Sequence, residues 1–255
     1  MVAAAALASC SPYTLDEAPV SVATGTPIPT ATIDWFPVTE TFTPAAAVTH
    51  AATPETQLPT LATILTDQFD DPDQWEPVES ALGTATVAAG QLTLAVQPGG
   101  LIRSLRSAPA LDDFYAQVTA RPNLCRGEDA YGVLIRATAI AYYRFALYCD
   151  GTASAERIVH TRIEERHVLQ EAVPSGDAPP GAPGRVRIGV SAQGGEMRLF
   201  LNDRLQFVVS DVNYPEGLIG FFAQSATTNA VTVSFSDLVV SAVEPATAAT
   251  TEPGG

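Results

Sequence analysis

Lysine is absent from this chain of 255 residues: all 13 cationic side chains are arginine, and none precedes Arg103. Set against 28 acidic residues, they leave a net charge of -15 and an isoelectric point near 4.4. A chain of that sign repels polyanions at long range and lacks the clustered basic surface that displaces counterions from a phosphate backbone, so nucleic acid is not an expected partner. Long apolar runs are missing too, and no segment reaches the 18 or so residues of a membrane-spanning helix. Histidine is scarce, with only His50, His160 and His167 to serve as ligands or bases, so a zinc centre is not expected. Neither a Gly-x-Ser-x-Gly elbow nor a phosphate-cradling glycine loop occurs. The 3 cysteines divide by position into Cys10 near the start and the pair Cys125 and Cys149 far downstream.

What is present begins with a leader-like segment over residues 1–10. Leu7-Ala8-Ser9-Cys10 resembles the lipobox of bacterial lipoproteins, which implies lipidation at Cys10, export, and a membrane contact made through the anchor. Met1 to Ala8 carries no charge and is short for a signal peptide, so the natural start is expected further upstream. Residues 11–65 are rich in threonine, proline and alanine, with few large apolar side chains to offset the entropy of ordering them. They are expected to form a disordered stalk reaching about 40 Å as a coil and about 170 Å if extended. Asp34-Trp35-Phe36 interrupts it, either as a docking peptide or as an incidental aromatic pair. The tail at 244–255, opening Glu244-Pro245-Ala246-Thr247, has the same texture as the stalk.

Residues 66–243 change character. Short runs of β-branched and aromatic residues alternate at period two between glycine, asparagine, aspartate and proline, and no amphipathic helix interrupts them. Strands are expected at Gln91–Val96, Leu101–Leu105, Phe114–Arg121, Tyr131–Ala137, Tyr142–Cys149, Glu156–Glu165, Val186–Ala192, Met197–Leu201, Leu205–Ser210, Gly217–Gln224 and Val231–Val240. Strands at this spacing predict an all-β antiparallel sandwich of the jelly-roll type. Gly194-Gly195 and Asn202-Asp203 supply the positive φ of tight hairpins. Alternation assigns Val186, Ile188 and Val190 to the core, and likewise Leu205, Phe207 and Val209, and Val231, Val233 and Phe235.

Three stretches then combine: the opening Asp67-Gln68-Phe69-Asp70-Asp71-Pro72-Asp73-Gln74-Trp75, the central Tyr131-Gly132-Val133-Leu134-Ile135-Arg136 with Tyr142-Tyr143-Arg144-Phe145, and the closing Gly217-Leu218-Ile219-Gly220-Phe221-Phe222 with Phe235-Ser236-Asp237-Leu238. This set resembles concanavalin A-like lectin/glucanase domains, in particular the laminin-G-like and 3-keto-disaccharide hydrolase modules carried by bacterial lipoproteins. The resemblance implies a sandwich whose concave face meets sugars; it does not imply catalysis.

A glycosidase needs two carboxylates about 5–5.5 Å or 6.5–9.5 Å apart. The laminarinase branch supplies them from a Glu-x-Asp-x-x-Glu run, and none occurs here. Asp112-Asp113, Glu128-Asp129 and Glu164-Glu165 are adjacent pairs whose members point to opposite sides of a strand. A cross-strand pair remains open. Asp67, Asp70, Asp71 and Asp73 offer either oxygen ligands for a structural calcium or turn chemistry, and no other cofactor is expected. Side-chain parity places Tyr115, Gln117, Thr119 and Arg121 on one face with Gly132, Arg136, Tyr142, Arg144, Tyr148, His160, Arg162 and Glu164. Tyrosine rings and guanidinium forks are the mixture a sugar site uses, so Tyr115, Gln117, Arg136, Tyr142, Arg144, Tyr148 and His160 become the candidate glycan contacts. A solvated face with Tyr–Arg pairs holding strands together is the alternative. Cys125 and Cys149 fall at the beginning of one strand region and the end of the next, as a hairpin-closing disulfide would place them; a catalytic cysteine is the rival. The function expected is non-catalytic recognition of a glycan or envelope polymer by a monomeric, surface-tethered domain. A glycoside hydrolase of the 3-keto-disaccharide type, or a structural or protein-interaction domain, stands beside it.

Overall fold

The computed structural model describes residues 60–226 and 228–243. The leader at 1–10, the Trp35-Phe36 pair and the tail at 244–255 lie outside them. The described residues form 15 strands and one short 3-10 helix, Pro72–Gln74, arranged as two antiparallel sheets. The strands are β1 (Thr60–Asp67), β2 (Val78–Ser80), β3 (Gly83–Ala88), β4 (Gln91–Val96), β5 (Leu101–Leu105), β6 (Phe114–Leu124), β7 (Ala130–Ala137) and β8 (Ala141–Tyr148). They continue as β9 (Thr152–His160), β10 (Glu164–Pro174), β11 (Val186–Gln193), β12 (Glu196–Leu201), β13 (Arg204–Ser210), β14 (Leu218–Gln224) and β15 (Val231–Val243). The nine-stranded sheet runs β13-β12-β11-β6-β15-β4-β3-β2, with β1 also on β15; the six-stranded sheet runs β10-β9-β8-β7-β14-β5.

The expected alternation appears where it was clearest. Val186, Ile188 and Val190 are fully buried, as are Val231, Val233 and Phe235, and they meet Val133, Ile135 and Phe145 of the six-stranded sheet in one core. Glycine and asparagine turns behave as their chemistry requires: Gly194 has φ +54°, and Asn202 and Asp203 have φ +50° and +67° in the β12–β13 hairpin. Leu205 departs from the expectation. A register shift between Leu199 and Phe200 sets Leu205 opposite Phe200 instead of into the core, while Phe207 and Val209 still face inward.

Two further expectations are corrected. Strand β1 begins at Thr60, inside the segment assigned to the stalk, and pairs with Leu238–Val243 of β15. The single strand expected over Glu156–Glu165 is instead a hairpin: β9 ends at His160, Thr161 to Ile163 turn, and Glu164 pairs back against His160. Nothing in Thr161-Arg162-Ile163 carries the usual turn chemistry, which is why alternation ran straight through it.

The opening motif closes one side of the core. Phe69, Trp75, Phe221 and Phe235 stack in sequence with centroids 5.2, 5.3 and 4.4 Å apart. Asp67 fixes that stack: its Oδ1 accepts from the Phe69 backbone N–H at 2.8 Å, and its Oδ2 accepts from Trp75 Nε1 at 3.2 Å and Arg106 Nε at 2.8 Å. Asp71 caps the 3-10 helix through the Asp73 N–H at 3.0 Å. Two of the four aspartates weighed as calcium ligands therefore serve turns, and no cluster with metal-ligand geometry occurs among the described residues. The cysteine expectation holds: Cys125 and Cys149 form a disulfide with their Cα atoms 5.8 Å apart, joining the segment before β7 to the end of β8.

Candidate functional site

The outer face of the six-stranded sheet is built by register. Leu105, Gly220, Leu134, Arg144, Glu156 and Val168 lie in one row across it, and Arg103, Phe222, Gly132, Ala146 and Ser154 in the next. Residues in register share a side, so these side chains all point away from the core. Leu105, Leu134, Ala146, Ile158 and Phe222 form a second apolar cluster there, and all are buried although they face outward. Long polar side chains lie over them. The Arg103 guanidinium sits 5.0 Å from the Tyr142 ring centroid, and that of Arg144 sits 5.4 Å from Phe222. Arginine stems cover the apolar floor while their charged heads contact aromatic faces.

Glu156 is the electrostatic centre of this face, only 1% exposed. Its Oε2 accepts from Arg144 Nε at 3.0 Å and from Arg144 Nη2, and its Oε1 accepts from Arg166 Nε at 2.6 Å and from Arg166 Nη2. One buried carboxylate is thus gripped by two planar forks from neighbouring strands, the arrangement in which a buried charge is tolerable. Burial works to lower the Arg166 pKa, but the hydrogen bonds and charge of Glu156 outweigh it and hold it above the ordinary value. Beside this pair, Tyr148 Oη lies 3.2 Å from Ser154 Oγ. Tyr142 Oη lies 3.2 Å from His160 Nε2, and His160 Nδ1 is 3.5 Å from Glu164. Burial pushes the Tyr142 phenol up, with Arg103 and Arg144 opposing it.

Arg144, Arg166, Tyr148, Gln224, Glu128 and Asp150 line a depression of about 350 Å³ on this face. That is the lower end of the size range of small-molecule sites. Two guanidinium groups, a phenol and an amide supply donors, while Glu128 and Asp150 supply acceptors, so vicinal hydroxyl groups find partners of both kinds.

No protein family and no curated protein matches the sequence, but solved structures do. A carbohydrate-binding module from Bacillus subtilis aligns with a TM-score of 0.53 at 17% identity, over 66% of this chain and 96% of that one. A Bacillus subtilis protein of unknown function with a galectin-like fold gives 0.53 at 11% identity, over 74% and 100%. The laminarinase catalytic domain of Thermotoga maritima gives 0.50 at 10% identity, over 72% and 98%. The fold is a concanavalin A-like jelly roll. At these identities the likeness fixes the architecture and leaves the chemistry to this chain's own residues.

The jelly roll distributes the candidate glycan contacts unequally. Tyr142, Arg144, Tyr148 and His160 do share the outer face of the six-stranded sheet, and Arg144 and Tyr148 reach the depression. Tyr115 and Gln117 do not share it: β6 lies in the nine-stranded sheet, so they and Thr119 face out on the opposite side of the sandwich. Strand parity separates in from out but does not say which sheet a strand joins, and β6 and β7, adjacent in sequence, join different ones. Arg136 is also corrected. Its backbone takes φ +47°, and its guanidinium, 1% exposed, donates to the carbonyls of Asp112, Gly194 and Tyr214. It ties together loops at one end of the sandwich, away from the outer face on which it was expected. The residues missed were Glu156, Arg166, Glu128, Asp150 and Gln224. A signal for the first two existed, since Arg144 stands directly opposite Glu156 once β8 and β9 are paired as a hairpin across Gly151.

Proposed function

We propose that this jelly roll is a non-catalytic glycan-binding module of an exported protein tethered through Cys10, with its ligand seated in the depression on the six-stranded sheet. The carrying observation is the double grip on Glu156: Arg144 and Arg166 each place Nε and Nη2 on the carboxylate, which orders both guanidinium groups where they line the depression with Tyr148. Fixed donors beside an aromatic ring recognise a sugar with little further ordering cost. The aligned carbohydrate-binding module adds support from outside the chain. A second reading, hydrolysis of the bound glycan, is favoured by Glu128 and Asp150 lining the same depression. Localisation at the outer surface of the cell envelope follows from the lipobox resemblance of Leu7 to Cys10.

The test is co-sedimentation of the full chain with a panel of insoluble polysaccharides, followed by substitution. Arg166 is half exposed, with 52% of its side chain accessible, so Arg166→Ala perturbs folding little. Combined with Tyr148→Ala it is expected to weaken retention about tenfold or more. Retention at wild-type strength by that variant contradicts the assignment. Soluble sugar released by wild type and abolished by Glu128→Gln with Asp150→Asn replaces the binding reading with the hydrolytic one.

A further inference from the structure

Tyr115, excluded from the first site by the topology, stands in a setting of its own on the nine-stranded sheet. Its ring lies over Gly189: a Cβ added at that glycine would come within 2.4 Å of Tyr115 Oη and 3.0–3.1 Å of the ring carbons Cζ and Cε2. One ring face is therefore seated on backbone. Phe200 meets its edge, centroids 5.8 Å apart at 84°, and prevents the ring from swinging away. Ser191 and Ser241, two small residues, stand directly opposite Tyr115 on its two neighbouring strands, and the tyrosine itself is partly exposed.

Polar groups are fixed along one side of this ring. Gln117 Nε2 donates to Tyr115 Oη at 3.3 Å and to Asp203 Oδ1 at 2.9 Å. Asp203, held at φ +67° in the β12–β13 turn, accepts in turn from Arg187 Nε at 3.1 Å and from Arg187 Nη2. Asp203 and Arg187 stay accessible at 37% and 47% of their side-chain surface. A flat ring lying on a sheet beside an ordered amide, carboxylate and guanidinium matches a pyranose that turns its C–H face to the ring and its hydroxyl groups to the edge.

We propose that Tyr115, with Gln117, Asp203 and Arg187, forms a second glycan-binding platform on the face opposite the depression, selective for neutral hexopyranose chains. Neutrality follows from charge: Asp203 and Arg187 cancel one another, and a domain in a chain of net charge -15 disfavours an anionic polymer. The proposal shares its ligand class with the function above but rests on different residues in a different sheet. A domain carrying both sites joins two polysaccharide chains across the thickness of the sandwich.

Isothermal titration of the full chain with cellohexaose and with laminarihexaose tests it. Two equivalents are expected for wild type and one for Tyr115→Ala, with Tyr148→Ala/Arg166→Ala retaining the platform's single equivalent. Tyr115→Phe keeps the ring and is expected to bind within about twofold of wild type, whereas Tyr115→Ala weakens the platform by more than about tenfold, below what the titration detects. Shifts of the Tyr115 ring-proton resonances of the unmodified protein on adding hexasaccharide give the same answer if the alanine variant folds poorly. One equivalent removed by Tyr115→Ala and untouched by Tyr148→Ala/Arg166→Ala upholds the platform and removes the depression. Unchanged stoichiometry in Tyr115→Ala with unmoved ring resonances overturns the platform, as does absence of binding to either hexasaccharide.

Discussion

Replacing Glu156 by alanine is expected to cost about 3–5 kcal/mol of unfolding free energy, because it strands the Arg144 guanidinium without its counter-charge. Both partners are buried, with 7% of the Arg144 side chain and 1% of that of Glu156 accessible. A paired buried charge is tolerable, but a bereft one bears its whole desolvation cost. Arg166→Ala removes the more exposed fork and leaves Glu156 still held by Arg144, so a loss of about 1 kcal/mol or less is expected there. Arg144→Met with Glu156→Leu deletes both charges and should be near neutral in stability while abolishing glycan binding. Urea unfolding of the three variants separates these cases. A Glu156→Ala variant as stable as Arg166→Ala would mean that the double grip is not what organises this face.

Removing the Cys125–Cys149 bridge is the second large effect. The cysteines are 24 residues apart, and the chain-entropy relation gives about 3.4 kcal/mol for a loop of that length. For a domain of this size that corresponds to a fall in Tm of about 7–14 °C. The loss should reach the site as well. Glu128 and Asp150, which line the depression, follow Cys125 and Cys149 closely in sequence, and Asp129 accepts the Cys149 N–H through its carbonyl at 2.9 Å. Cys125→Ser/Cys149→Ser is therefore expected to bind glycan more weakly at temperatures where it remains folded. Calorimetry and co-sedimentation read the two consequences separately; an unchanged Tm contradicts the first, and undiminished retention by the folded variant contradicts the second.

Much of the sandwich was legible because its strands obey one rule. Wherever a β-branched or aromatic residue alternates with serine, threonine or arginine, as in Val186 to Ser191 or Val231 to Ser236, the first, third and fifth residues of the run are core and the strand limits fall within a few residues of expectation. What escaped was longer-range. The partition of β6 from β7 depends on a crossing between sheets that leaves no local mark, and it moved Tyr115 and Gln117 to the other side of the molecule. Arg136 has the positive φ of a register shift between β7 and β14, and no pattern of side chains announces it. Glu156 looked like one more acid at a strand edge; only the pairing of Arg144 and Arg166 against it shows a site.

The most direct test of the account is to map the shifts of backbone amide and arginine side-chain resonances while the full chain is titrated with an oligosaccharide of the polymer that retains it. Shifts at Arg144, Tyr148, Arg166 and Gln224 are expected, with the guanidinium resonances of Arg144 and Arg166 moving most. Saturable binding that leaves every resonance of the six-stranded sheet in place would contradict the proposed site.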